Sequence, residues 1–100
     1  MFVAIWKYEV KEGSTKKFEA LYGQNGKWVS LFKENSGYVT TEFIKNTSHP
    51  SEYITIDKWE SYDHYQNYLE KNKDEIIEID AEGEELTANE TKIGWFETVD

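Results

Sequence analysis

A chain of 100 residues with a formal net charge of −9 has room for one domain, spanning 1–100, and for a single core. Its charge would repel a phosphate backbone, which argues against nucleic acid as a partner. There is no Cys, so disulfides, thiolate metal sites and Cys nucleophiles are excluded.

All eleven basic residues are Lys, which removes the bidentate guanidinium clamp on carboxylates or phosphates. Aromatics make up 16% of the chain and imply either large apolar interfaces or a pocket with flat walls. The opening Met1-Phe2-Val3-Ala4-Ile5-Trp6-Lys7-Tyr8 lacks the basic leader and long apolar run of a secretory signal, and no later apolar stretch could span a bilayer. The expectation is a cytoplasmic protein with no membrane attachment.

Phe2 to Val10 alternates Phe2, Ala4, Trp6, Tyr8 and Val10 against Val3, Ile5, Lys7 and Glu9, the two-residue period of a strand. Lys11-Glu12-Gly13 turns the chain, and Ser14 or Thr15 caps a helix carrying Phe18, Leu21 and Tyr22 on one side. Gly23 and Gly26 interrupt that helix, since Gly costs about 1 kcal/mol relative to Ala in a helix interior. The apolar stripe resumes at Trp28, Val29 and Phe32 and ends at Asn35-Ser36-Gly37. This reads as a helix with a break or kink, the alternative being a hinge that opens the space beneath Trp28. The lysine and hydroxyl pattern of a phosphate-binding loop is missing.

Tyr38 to Asn46 is the second strand, and Thr47 to Ser51 a polar hairpin loop in which His49 is solvated. The third strand, Tyr53 to Trp59, runs almost directly into a helix: Ser61 stands at the N-cap, and Tyr62, Tyr65 and Leu69 share one helical face. Asp74 to Glu90 holds eight acids anchored by Ile76, Ile77 and Leu86. It lacks the ligand order of a calcium loop and reads as a solvated helical face. Thr91 to Val99, with Ile93, Trp95 and Phe96, is the fourth strand.

The order β-α-β-β-α-β is that of an α+β, ferredoxin-like fold: a four-stranded antiparallel sheet with both helices on one face. Strands one and three are apolar on both sides, so the bare face is expected to meet a second subunit. Glu42 and Asp57 lie in neighbouring strands. A pairing that sets Ile44 against Ile54 keeps the two acids on opposite faces and is preferred to one that sets them opposite each other.

Gly37-Tyr38 with Thr41-Glu42, Tyr53-Ile54-Thr55-Ile56-Asp57, Trp59 with Ser61, Leu86-Thr87-Ala88-Asn89-Glu90 and Ile93-Gly94-Trp95-Phe96 together resemble the antibiotic biosynthesis monooxygenase domain family of dimeric α+β barrels. The likeness covers nearly the whole chain. It implies a homodimer whose sheets close into one barrel, with a pocket between each subunit's helices and sheet. It also implies an oxygenase needing neither metal nor cofactor, which binds a small enolisable aromatic or quinol, deprotonates it and lets it reduce dioxygen. Under that resemblance Trp6, Tyr22, Trp28, Trp59, Tyr65 and Tyr68 are the expected pocket walls, and His64 is the expected base.

Haem-degrading relatives in the same superfamily are a second resemblance. They carry Asn, Trp and His where this chain, aligned on Gly13 and on Trp59-Glu60-Ser61, has Trp6, Tyr68 and Glu78, so the pattern breaks at all three positions. A non-catalytic dimeric ligand-binding or stress-response module is the remaining alternative.

Overall fold

The structure, a computed structural model, describes residues 1–99. Four strands form one antiparallel sheet: β1 (Phe2–Val10), β2 (Tyr38–Lys45), β3 (Glu52–Trp59) and β4 (Thr87–Glu97), in the order β2-β3-β1-β4. Between β1 and β2 run α1 (Thr15–Tyr22) and α2 (Lys27–Lys33), and between β3 and β4 run α3 (Tyr62–Lys71) and α4 (Lys73–Leu86). This is the ferredoxin-like α+β arrangement. Each expected helix is a pair of helices. The first breaks where Gly23 N–H closes on the Glu19 carbonyl and Gly26 N–H on that of Gly23.

The second break is held by a side chain. Asn72 is buried, and its amide donates to the Tyr68 carbonyl at 2.9 Å and to Asn35 Oδ1 at 2.9 Å, while its own carbonyl receives Ile76 N–H and starts α4. The acidic segment departs from the expected helical face at its end. The helix stops at Leu86, and Thr87 to Glu90 are already strand, because Val10, Glu9 and Tyr8 of β1 need partners on that edge and pair with Thr87, Asn89 and Glu90.

The pairing of β2 with β3 sets Ile44 against Ile54, Glu42 against Ile56 and Thr41 against Asp57, so the two acids do lie on opposite faces. Phe2, Ala4, Tyr8 and Val10 of β1 and Tyr53 and Trp59 of β3 enter the core with Phe18, Tyr22, Val29, Phe32, Tyr65, Tyr68 and Ile79 from the four helices. All helices therefore cover one side. The other side carries Val3, Ile5, Ile54 and Ile56, with Ile5 opposite Ile56, and with Ile44 and Phe96 about half exposed.

Trp59 is the centre of the packing. It is 0% exposed, and its ring meets those of Phe32, Tyr38, Tyr65 and Tyr68 at centroid distances of 5.7, 5.4, 5.8 and 5.0 Å, contacts that add to plain area burial. Just before β2, Gly37 has φ 90°, and a Cβ there would come within 2.3 Å of the His64 ring. Gly37→Ala should therefore cost roughly 2–4 kcal/mol, part from left-handed backbone strain and part from overpacking. In urea unfolding, adding His64→Ala should return the overpacking share and leave the strain; full recovery would show that the backbone conformation costs nothing.

Candidate functional site

A cavity of about 210 Å³ lies between the helices and the sheet. Trp6 and Tyr8 from β1, Thr41 from β2, and Thr55 and Asp57 from β3 form its floor; Tyr22, Trp28, Val29, Phe32, Tyr65, Tyr68, Leu69 and Ile76 close it from the helices, and Asp80 and Glu90 complete the lining. An engineered apolar cavity of about 150 Å³ admits benzene. The space here thus suits a molecule with a single ring.

The walls follow from two periods. Trp6 and Tyr8 face inward because β1 alternates. Tyr65, Tyr68 and Leu69 face inward because they repeat at three and four residues on α3. That helix is fixed at its start by Ser61, whose hydroxyl accepts His64 N–H at 3.2 Å.

Asp57 is the chemical centre. Only 8% exposed, it accepts a 2.8 Å hydrogen bond from Thr41 Oγ1, which in turn accepts one of 2.9 Å from the Tyr38 hydroxyl. Thr41 is its one side-chain donor among the described residues. Burial in an apolar site penalises the carboxylate form and pushes Asp57 up to about 7, with the Thr41 bond pulling the other way. An acid with that value exchanges a proton near neutral pH. Burial also raises the tyrosines: Tyr65 to about 12, and Tyr8, Tyr22 and Tyr68 well above the ordinary phenol value. They stay protonated and act as donors. Asp80 and Glu90 are raised by burial first and by neighbouring carboxylates second.

Of the expected wall residues, Trp6, Tyr22, Trp28, Tyr65 and Tyr68 line this cavity, whereas Trp59 does not and stands behind it in the core. His64, the expected base, is not among the lining residues either. Its ring packs against Gly37, its Nδ1 is 2.7 Å from the Ser61 hydroxyl and its Nε2 is 3.8 Å from Glu60. It stands in the first turn of α3, one turn before Tyr68, with its ring against Gly37 and Ser61 rather than on the cavity. Sequence reasoning missed Asp57 as a site residue, although the signal was there: an acid in phase with Tyr53, Thr55 and Trp59 on a strand whose aromatic face had to be buried. The indole N–H of Trp28 is also buried, near the Tyr22 phenol but without completing a hydrogen bond.

The family model for antibiotic biosynthesis monooxygenase matches residues 1–73. The chain belongs to that family. Among solved structures it is similar to SnoaB, a cofactor-independent oxygenase from Streptomyces nogalater, at 15% identity and a TM-score of 0.79, covering 99% of this chain and 93% of that one. A protein from Deinococcus radiodurans superposes with a TM-score of 0.82 at 9% identity over 100% of this chain and 94% of the other. Rv0793 from Mycobacterium tuberculosis does so at 0.75 and 11% identity over 99% and 95%. At these identities the likeness is one of fold. A search of curated protein sequences finds no match. No helix among the described residues is long and apolar enough to cross a membrane.

The raised Asp57 has a consequence for stability. The folded protein keeps a proton that the unfolded chain releases above its ordinary carboxylate value of about 4, so the free energy of unfolding falls as pH rises from there through about 7. Asp57→Asn keeps an oxygen for Thr41 and removes the charge. Its melting temperature should match that of the wild type near pH 4 and exceed it by at least about 4 °C near pH 8, the shift that about 1 kcal/mol produces in a domain of this size. A constant offset across pH would mean that Asp57 ionises as an ordinary carboxylate.

Proposed function

We propose that this protein is a cofactor-independent monooxygenase acting on a small enolisable aromatic or quinol, with Asp57 rather than His64 as its base. The observation that carries the reading is a buried carboxylate, titrating near neutrality, on the floor of a cavity walled by aromatic rings. Family membership supports the reaction class, and the similar fold of an oxygenase that works without a cofactor supports the mechanism.

The steps follow from the groups present. The carboxylate of Asp57 takes a proton from the ring CH₂ that the substrate carries as its keto tautomer, and the resulting enolate carbanion is delocalised over the ring. The carbanion passes an electron to dioxygen; the substrate radical and superoxide then combine, forming a C–O bond. Asp57 returns its proton to the distal peroxide oxygen. Loss of water from the hydroperoxide breaks the O–O bond and leaves a carbonyl, so CH₂ and O₂ become C=O and H₂O. The tyrosine hydroxyls, which remain protonated, donate to oxygens of the enolate. The apolar rings exclude water and so strengthen each of these interactions.

The functional unit proposed is a homodimer through the open sheet face. Ile5, Ile54 and Ile56, partly exposed, together with the half-exposed Ile44 and Phe96 on that side, form an apolar patch of a kind that soluble monomers seldom leave in water.

Two outcomes test these statements. With a single-ring quinol as substrate under dioxygen, Asp57→Asn should lower kcat by about 10²- to 10⁴-fold, the usual loss of a general base. Wild-type turnover should rise as pH increases through about 7 and then level off, whereas His64→Ala should leave the pH profile unchanged. Full activity in Asp57→Asn would move proton transfer to substrate or water. For the dimer, Ile5→Glu should yield monomer in sedimentation at micromolar concentration; an unaltered dimer would rule out this face as the interface.

A further inference from the structure

Tyr38 and Thr41 stand three positions apart on β2, and residues at that spacing on a regular strand face opposite sides of the sheet. Here they share a side. β2 pairs Tyr38 with Trp59, Thr40 with Lys58 and Thr41 with Asp57, so Val39 is an extra residue without a partner on β3, a β-bulge of the kind that re-aims a side chain. Val39 is 41% exposed, whereas Trp59 and Asp57 are both buried. The bulge thereby brings the Tyr38 hydroxyl in beneath the helices with Thr41, where it donates to Thr41 Oγ1 at 2.9 Å.

The direction of this chain follows from hydroxyl chemistry. An ionised carboxylate only accepts, and a hydroxyl has one proton to give. Thr41 gives its proton to Asp57 Oδ1 at 2.8 Å, and its oxygen accepts the proton of Tyr38. Both hydroxyls are held in place. The Tyr38 ring packs against those of Phe32 and Trp59, each with its centroid 5.4 Å away. The Thr41 carbonyl accepts from Gln24 Nε2 at 2.7 Å, a side chain from the break between α1 and α2. Oδ2 of Asp57 is in a different position. It takes no hydrogen bond among the described residues, and it is not one of the fully buried polar atoms that lack a partner. On a residue that lines the cavity, that combination leaves Oδ2 open to a ligand.

We propose that Thr41 and Tyr38 are positioning residues of the base: their hydroxyls, aligned by the bulge in β2, bind Oδ1 of Asp57 and leave Oδ2 as the atom that takes the substrate's proton. The inference rests on the oxygenase reading and adds the two residues that aim its base. With Oδ1 committed as an acceptor, the proton taken up sits on Oδ2 and is the one handed back to the peroxide. The same donors favour the ionised form and so oppose the effect of burial. Tyr8 from β1, Tyr38 from β2, and Tyr65 and Tyr68 from α3 also face Asp57, and burial raises all four phenols, which stay neutral. Tyr22 from α1, Asp80 from α4 and Glu90 from β4 line the same cavity, and no Lys or His does so among the described residues.

The test follows the Asp57 carboxyl carbon by NMR as a function of pH in the full chain, its resonance identified as the one lost in Asp57→Asn, alongside dioxygen consumption with hydroquinone. Thr41→Val keeps the shape of the side chain and removes its hydroxyl. It should raise the proton affinity of Asp57, whose wild-type midpoint is about 7, by roughly tenfold or more, the loss of a hydrogen bond to a charged group. Tyr38→Phe should move the midpoint in the same direction by less, and Thr41→Ser, which restores the donor, should return it to the wild-type value. At a pH where Asp57 is fully ionised in every variant, kcat of Thr41→Val should stay at least about tenfold below wild type with KM little changed, because an unanchored carboxylate no longer aims Oδ2. An unmoved midpoint in Thr41→Val, a shift that Thr41→Ser does not reverse, or a kcat that recovers fully once Asp57 is ionised overturns the proposal. If Thr41→Val does not fold, Tyr38→Phe decides, and an unchanged midpoint there overturns it. Absence of dioxygen consumption by the wild type counts against the oxygenase reading, while the carbon titration still decides whether the hydroxyl chain holds Asp57.

Discussion

The two-residue period of β3 is the constraint on which the rest depends. Tyr53 and Trp59 must both be buried, because together they supply the largest apolar surfaces of the strand, and the period then carries Thr55 and Asp57 inward with them. A one-residue slip would expose Trp59 to water and bury Lys58. The core thus holds a carboxylate in place, and Thr41, directly opposite in β2, supplies the single hydrogen bond that makes its burial tolerable.

That burial couples stability to chemistry. Ionised and mostly dry, Asp57 costs the fold free energy; protonated, it costs little. Asn or Thr would avoid that cost, so an acid at this buried position is itself an argument for function, of the kind that perturbed titration at active sites supports in general. The fully buried indole of Trp59, whose N–H has no partner, is a similar local cost. It is offset by four aromatic neighbours and keeps the wall behind the cavity rigid.

The helices contribute shape more than chemistry. Each expected helix is broken in two, and the space left beneath the four segments lies over the middle of β1 and β3. The Asn72 bonds join α3 to α4 and also reach Asn35 after α2, tying both helical pairs together at one point. His64 belongs to this scaffold. Its contacts with Ser61 and Gly37 link the start of α3 to the start of β2 and hold its ring outside the lining of the cavity.

Periodicity and turn chemistry by themselves determined much of this protein: the four strands, the helical segments between them, the Ser61 cap, the pairing of Ile44 with Ile54 and the inward faces that carry Trp6, Tyr22, Tyr65 and Tyr68. These are local or nearest-neighbour properties, so a single sequence carries them. The extent of β4 was not legible, since Thr87 to Glu90 become strand only because β1 offers an unpaired edge. The division of each helix was half legible, at Gly23 and Gly26 but not at Asn72, whose role depends on Asn35, 37 residues away in the chain. Only the tertiary structure decided which titratable group meets the cavity. His64 and Asp57 are seven positions apart and chemically both suitable as bases, but helix rotation at the Ser61 cap turns one toward Gly37, while strand alternation turns the other under the aromatic rings, where loss of water moves its proton affinity to neutrality.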